Sequence, residues 1–343
     1  MSTYKCITLA ERPKADIIPD KTFKIEERPV PKESDLQDGE VILENLYLSL
    51  DPAMRGWLND TRSYLPPVEI GAIMRGATVG RIQASKSSDF KPGDLASSRA
   101  GWAELAVVKD KELKKVDLPT GARPSDAIGV LGATTLTAYF GLLEIGQPKK
   151  GDLIVVSGAA GATGSLVAQI GLIKGCRVVA IAGAEDKCAW LKELGCEAAL
   201  NYKDPDFATQ FKAATKDLID IYFDNVGGEI LDLALSRAKP FSRFVMCGAI
   251  SNYNNPNPVG PKNISMVIAM RIRMQGFIVF DFADRYHEAL VEISKWLSEG
   301  KIQRKEHIIK GGLQKAPQGL VDLYKGINTG KLMVEIKSEG ARL

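Results

Sequence analysis

Three glycines at three-residue spacing, Gly158-x-x-Gly161-x-x-Gly164, sit in Ser157-Gly158-Ala159-Ala160-Gly161-Ala162-Thr163-Gly164. An apolar run from Leu153 precedes them, and an apolar helical run from Ala162 to Ile173 follows. Small side chains at such a turn let the backbone approach a pyrophosphate. The first N–H groups of the helix and its positive dipole end then face the charge. In this setting the turn reads as a dinucleotide site, with Gly161, Ala162, Thr163 and Gly164 at the phosphates.

The end of the next strand separates the two nicotinamide cofactors. A carboxylate that grips the adenosine ribose belongs about 20 residues beyond the glycines. That place reads Ile181-Ala182-Gly183-Ala184 and holds no acid. Glu185 and Asp186 come later and suit the start of a helix, Lys187 follows, and Tyr202 lies past the third strand. A site without an acid and with a nearby cation favours a 2′-phosphate, hence NADP(H).

Metal ligands are scarce. The chain has two histidines, His287 and His307, and five cysteines at 6, 176, 188, 196 and 247 with no Cys-x-x-Cys pair. Zinc sites need clustered donors, so no metal is expected, and the cysteines read as small buried residues. Hydride transfer without a metal needs hydroxyl donors for the developing oxyanion. Tyr64, in Ser63-Tyr64-Leu65-Pro66-Pro67, and Tyr253, in Ser251-Asn252-Tyr253-Asn254-Asn255, are the candidates.

The elements that must position these residues fall into two textures. Up to about residue 125, short β-type runs such as 41–48, 77–82 and 102–108 are separated by Pro, Gly and Asp. From 126 to 300, strands alternate with helices: 153–157, 162–173, 177–182, 185–194, 220–224, 243–247 and 283–298. That rhythm implies a parallel sheet covered on both faces. After 300 come a β run at 306–309, a helix from about Ala316 and a closing strand at 332–336. The tail is expected to rejoin the first domain. The expected organisation is therefore a β-rich catalytic domain over 1–125 and 301–343, with a dinucleotide domain, 126–300, inserted.

The uncharged stretch 153–173 is long enough to cross a membrane, but its glycines and strand-turn-helix pattern argue for burial in a globular core. With 45 basic and 42 acidic residues dispersed along the chain, nucleic acid is a poor partner. An odd number of unpaired-looking cysteines and the absence of an apolar leader favour a reducing, cytoplasmic setting.

Several ordered motifs then carry a family resemblance. They include Ser49-Leu50-Asp51-Pro52-Ala53-Met54-Arg55-Gly56, Leu136-Thr137-Ala138-Tyr139, Phe223-Asp224-Asn225-Val226-Gly227-Gly228, Cys247-Gly248-Ala249-Ile250-Ser251 and Asn328-Thr329-Gly330-Lys331. With the glycine turn, the chain resembles the zinc-independent medium-chain dehydrogenase/reductases of the prostaglandin and leukotriene reductase type, which include NADPH-dependent alkenal/enone double-bond reductases. The resemblance implies a Rossmann-type doubly wound sheet inserted into a GroES-like β domain, and a homodimer. It implies Ala162 and Thr163 at the pyrophosphate, with Gly183, Lys187 and Tyr202 at the 2′-phosphate. Asn225 would support the cofactor, Cys247, Ile250, Phe277 and Val279 would line the nicotinamide, and Asn328 would close over it. Tyr253 would serve cofactor and substrate, beside Met54 and Tyr64.

Two departures from the pattern stand out. Ala269 occupies a position where several members carry a tyrosine that touches the substrate oxygen, so that role passes to Tyr64, to the ribose hydroxyl or to water. Gly132-Ala133-Thr134-Thr135 replaces the usual Gly-Met-Pro-Gly and is expected to reshape a loop near the cleft. The implied reaction is hydride addition to the β-carbon of an enal or enone. Alternatives are quinone reduction and a non-catalytic NADPH-binding role.

Overall fold

A computed structural model describes residues 2–118 and 121–338. The chain forms two compact units, Met1–Gly132 with Glu306–Leu343, and Ala133–Lys305. The textures of the sequence change at about 125 and 300, and the units join slightly later. Asp126 is buried, and the Arg123 guanidinium and Ser125 hydroxyl both donate to Glu306, each at 3.2 Å, which holds that stretch in the first unit.

The second unit opens with helix α1 (Ala133–Phe140), which continues as a π-helical turn over Gly141–Gly146. Six parallel strands follow: β1 (Leu153–Val156), β2 (Arg177–Ala182), β3 (Ala198–Asn201), β4 (Ile219–Asp224), β5 (Ala238–Met246) and β6 (Arg273–Gly276). Their order across the sheet is β3-β2-β1-β4-β5-β6, the doubly wound arrangement whose direction reverses between β1 and β4. Ligands bind at the carboxyl edge of that reversal.

Between the strands run helices α2 (Ala162–Ile173), α3 (Glu185–Glu193), α4 (Phe207–Ala214), α5 (Gly228–Ser236) and α6 (Tyr286–Ser298). Every residue of β1 is buried, as a strand covered on both faces requires. Alternate side chains, Leu153 and Val155, Val179 and Ile181, Tyr222 and Phe244, meet in one core. Gly171 brings α2 close to the sheet, since a Cβ there would lie 2.9 Å from Ile154 Cδ1. Helix α3 carries Glu185 and Asp186 in its first turn and Lys192 in its last, matching its dipole, and the chain leaves it through Gly195 at φ +101°.

Three sequence expectations need correction. Gly132-Ala133-Thr134-Thr135 is not a loop, because α1 begins at Ala133. Two adjacent β-branched threonines weaken the helical signal there. Strand β5 starts five residues before Arg243 at Ala238, and the exposed Lys239, Pro240 and Phe241 conceal it in the sequence. The expected helix over 283–298 divides into a 3-10 stretch, Val279–Arg285, and α6, with Ala289, Ile293 and Trp296 buried.

The first unit is built on a seven-stranded sheet. Glu40–Ser49 pairs antiparallel with Thr78–Ser85, Leu105–Lys109 and Lys331–Glu335, and the last of these pairs with Glu306–Ile309. The tail thus rejoins the sheet of the N-terminal segment. Its anchor is an ion pair between the buried Lys331 ammonium and Asp51, 2.5 Å apart, which joins two of the family motifs. Arg55, also buried, donates to the carbonyls of Pro13 (3.1 Å) and Ala15 (2.9 Å).

Candidate cofactor and substrate site

At the end of β1 the chain turns through Gly158 (φ +60°) and enters α2 from Gly161, which is extended and makes no side-chain cap. The first N–H groups of such a helix lack intrahelical acceptors, so an anion is the natural complement. Gly164 is obligatory for packing. A Cβ there would lie 2.4 Å from the Gly158 carbonyl oxygen and 2.8 Å from Ala159 Cα, both backbone atoms. Gly161 is less confined, its nearest such contact being 3.3 Å. Helix, turn and strand are therefore locked together at the point where a pyrophosphate would approach.

The ends of β2 and β3 bring the 2′-phosphate candidates together. Tyr202 lies against Gly183, where a Cβ would be 2.6 Å from the ring edge, so a larger residue there would push the ring away. Lys203 sits over the Tyr202 ring at 5.8 Å. Burial pulls the pKa of Lys187 below the ordinary lysine value; Asp186 raises it, and the nearby charge of Lys203 lowers it further. Two ammonium groups that act on one another favour a bound anion between or beside them. Glu185, the acid closest in sequence, accepts a hydrogen bond from the Asn201 amide at 2.8 Å. The sequence reading missed Lys203; its position next to Tyr202 was the available signal.

Asn225 follows β4 and crosses back to β1. Its backbone N–H donates to Ser157 Oγ (2.9 Å) and its side-chain amide to the Ser157 carbonyl (2.8 Å). The Cys247 N–H donates to the Asp224 carbonyl (2.9 Å), and the Ile250 N–H to the Asn225 carbonyl (3.3 Å), so these residues share one strand-end cluster. Burial, with the Asp224 carboxyl beside it, pushes the Cys247 thiol up to about 12. The Tyr253 hydroxyl accepts from the Ala249 N–H at 3.2 Å, which folds that tyrosine onto the same turn. Phe277 packs edge-on to Phe223 (6.4 Å between centroids), and a Cβ on Gly141 would strike its ring at 2.4 Å. Val279 is nearly buried and its carbonyl accepts from the Tyr286 hydroxyl (2.9 Å). Ala269 closes the short helix Met266–Ala269 and is exposed.

In the first unit, Tyr64 is 46% exposed and its hydroxyl accepts from Trp57 Nε1 at 3.2 Å. Arg75 lies 5.5 Å from the centre of the Trp57 ring. Asn328 is nearly buried and donates to the Gly330 carbonyl at 2.8 Å. Met54 corrects the sequence reading. It is fully buried, packed among Leu50, Trp102 and Leu320, and presents no open face to a ligand. A short helix, Met54–Trp57, points its first residue into the core and leaves Trp57 nearer the surface.

Among the described residues, no group of three or more His, Cys, Asp and Glu side chains is arranged to hold a metal ion. Residues 5–116 match the family model described as the N-terminal domain of oxidoreductase, and residues 162–295 match that described as zinc-binding dehydrogenase. The NADPH-dependent curcumin reductase of Escherichia coli (strain K12) is 41% identical over 339 residues, covering 96% of each chain. The chain belongs to the zinc-independent medium-chain dehydrogenase/reductases. Prostaglandin reductase 1 of Bos taurus is 41% identical over 305 residues, covering 88% of this chain and 90% of its own. The crystal structure of CurA in complex with NADPH from Vibrio vulnificus superposes with a TM-score of 0.91 at 40% identity, covering 97% of this chain and 99% of that one.

Proposed function

We propose that the protein is an NADPH-dependent reductase of the carbon–carbon double bond in α,β-unsaturated aldehydes and ketones. The observation that carries this reading is the acid-free end of β2, where Gly183, Tyr202, Lys187 and Lys203 make a cationic, ring-lined seat suited to a 2′-phosphate. Near full-length kinship with an NADPH-dependent curcumin reductase and with prostaglandin reductase 1 supports the substrate class, since curcumin is itself a conjugated enone. The dinucleotide domain, 126–300 by sequence texture, corresponds in this reading to the compact unit Ala133–Lys305, and the β-rich remainder is the catalytic domain.

Ala162 and Thr163 would hold the pyrophosphate at the start of α2, with Gly183, Lys187 and Tyr202 at the 2′-phosphate. Asn225, Cys247, Ile250, Phe277 and Val279 would flank the nicotinamide, and Asn328 would close the site. When bound, NADPH supplies a hydride to the substrate's β-carbon. The chain's task is then to stabilise negative charge on the carbonyl oxygen, for which Tyr64 and Tyr253 are the hydroxyl donors. Ala269 offers none. Protonation of the α-carbon by water completes the reduction. Positioning and electrostatics, without a metal, account for the protein's contribution.

The test is NADPH consumption with an alkenal or phenyl-butenone, followed by product analysis. A saturated ketone with its carbonyl intact is expected. An allylic alcohol would overturn the reading, and turnover of quinones alone would replace it with the quinone-reductase alternative.

The protein is also read as a homodimer of the cytoplasm. Strand β6 pairs with β5 on one side only among the described residues, and its residues are mostly exposed. Phe241 (68% exposed) and Ile268 (81% exposed) add apolar surface; Phe241 is linked to the segment before β6 by its N–H to the Met270 carbonyl. All five cysteines are free thiols, as a reducing compartment requires.

A further inference from the structure

Asp224 closes β4 and is fully buried. One of its carboxyl oxygens, Oδ1, accepts four hydrogen bonds: from Ser157 Oγ (2.9 Å), the Tyr222 hydroxyl (3.0 Å) and the N–H groups of Val226 (3.0 Å) and Gly227 (2.9 Å). The other, Oδ2, has no hydrogen-bond partner among the described residues. Removing a carboxyl from water costs several kcal/mol unless its hydrogen bonds repay it, so a group placed here needs a structural or functional reason. Burial raises its pKa and the four donors lower it.

The four donors identify the reason. Ser157 directly follows β1 and Asp224 ends β4, the adjacent strands at which the sheet order reverses. Ser157 Oγ donates to Asp224 and accepts from the Asn225 N–H (2.9 Å), so its proton direction is set by the carboxyl. The Asn225 side-chain amide meanwhile holds the Ser157 carbonyl (2.8 Å), the atom just before the glycine turn. The Val226 and Gly227 N–H groups are tied to the same carboxyl, and Gly227 (φ +71°) and Gly228 (φ +56°) occupy the left-handed region in the turn into α5. One buried acceptor thus fastens both chain crossings at the carboxyl edge of the sheet.

We propose that Ser157 and Asp224 are positioning residues for the cofactor: they act through Asn225, and set NADPH affinity without touching it. The proposal rests on the dinucleotide reading above. It is specific in direction. Ser157 acts through Asn225, so losing both costs no more than losing Asn225 alone, the signature of coupled residues in a double-mutant cycle.

The experiment is a fluorescence titration of the full-length protein with NADPH for the parent, Ser157→Ala, Asn225→Ala and the double variant, with melting curves for each. Losing a hydrogen bond to a carboxyl should weaken binding about tenfold in Ser157→Ala. The double variant should bind within about threefold of Asn225→Ala. Turnover at saturating NADPH should change far less than KM for NADPH, a split that general destabilisation would not produce. Ser157→Cys, close in size and a weak acceptor, serves if the alanine variant does not fold. A folded Ser157 variant with parental affinity, or losses that multiply in the double variant, would overturn the proposal while leaving the dinucleotide site standing. A parent that binds no NADPH would overturn both.

Discussion

Lys187 and Lys203 show how much a single charge can decide. Lys187 feels the charge of Lys203, which sits over the Tyr202 ring, so a phosphate dianion bound beside them would relieve that repulsion. Lys187→Ala and Lys203→Gln should each raise KM for NADPH about tenfold and leave NADH within about threefold, because a charge-assisted contact is at stake. Equal effects on the two cofactors would show that neither lysine reads the 2′-phosphate. Cys196 gives a pH-dependent counterpart. Burial raises its thiol from 9.0 to about 12, so the folded chain binds that proton more tightly than the unfolded one. Its stabilisation is fully present below pH 9 and lost as pH rises towards 12. The urea midpoint of the parent should therefore fall more steeply between pH 8 and pH 10 than that of Cys196→Ala. Parallel declines would refute the assignment. The glycine spacing and the missing acid were legible in the sequence at this scale, whereas Lys203 was not, because only the pairing of β2 with β3 brings it beside Lys187.

The decisive element is the β1–turn–α2 unit. Its stability depends on how closely α2 can approach the backbone it has just left, and the two inner glycines differ in this respect. Gly164→Ala forces a Cβ to within 2.4 Å of a carbonyl oxygen, whereas Gly161→Ala meets nothing nearer than 3.3 Å. Gly164→Ala is expected to cost about 1–3 kcal/mol, in line with overpacking, and to lower the melting temperature distinctly more than Gly161→Ala. Comparable melting temperatures would mean that the turn relaxes freely. The same element explains why an uncharged stretch of membrane-spanning length is not one. The helix it contains, Ala162–Ile173, has 12 residues, and no helix among the described residues is long and apolar enough to cross a bilayer. Helix α1 shows the opposite case: its threonines hid it, and packing against α2 and the aromatic Phe140–Phe282 stack, 4.7 Å between centroids, overrides local propensity.

At the scale of the whole molecule, the open edge at β6 carries the prediction. An unpaired parallel edge invites pairing with another strand, and the exposed Phe241 and Ile268 would be desolvated by a second copy. Sedimentation should give a dimer for the parent and a monomer for Phe241→Asp combined with Ile268→Asp, with the far-ultraviolet circular dichroism spectrum unchanged because each protomer keeps its own core. A monomeric parent would remove the dimer from the reading. The β-rich unit closes on itself differently. Its last strand, Lys331–Glu335, inserts beside Glu40–Ser49, and Asp51 holds Lys331.

The sequence by itself determined the alternation of strands and helices, the place and chemistry of the glycine turn, and the family. These depend on local periodicity and on residue types at short spacing. Tertiary structure alone decided which side chains meet. Met54 proved to be core rather than contact surface because the face of a short helix is set by what packs on it. Asp224 became a four-donor hub because two strands distant in sequence end side by side. The glycine turn is therefore readable as a dinucleotide site from its own residues, but the Ser157–Asp224–Asn225 fastening that fixes its shape is created by the reversal of strand order.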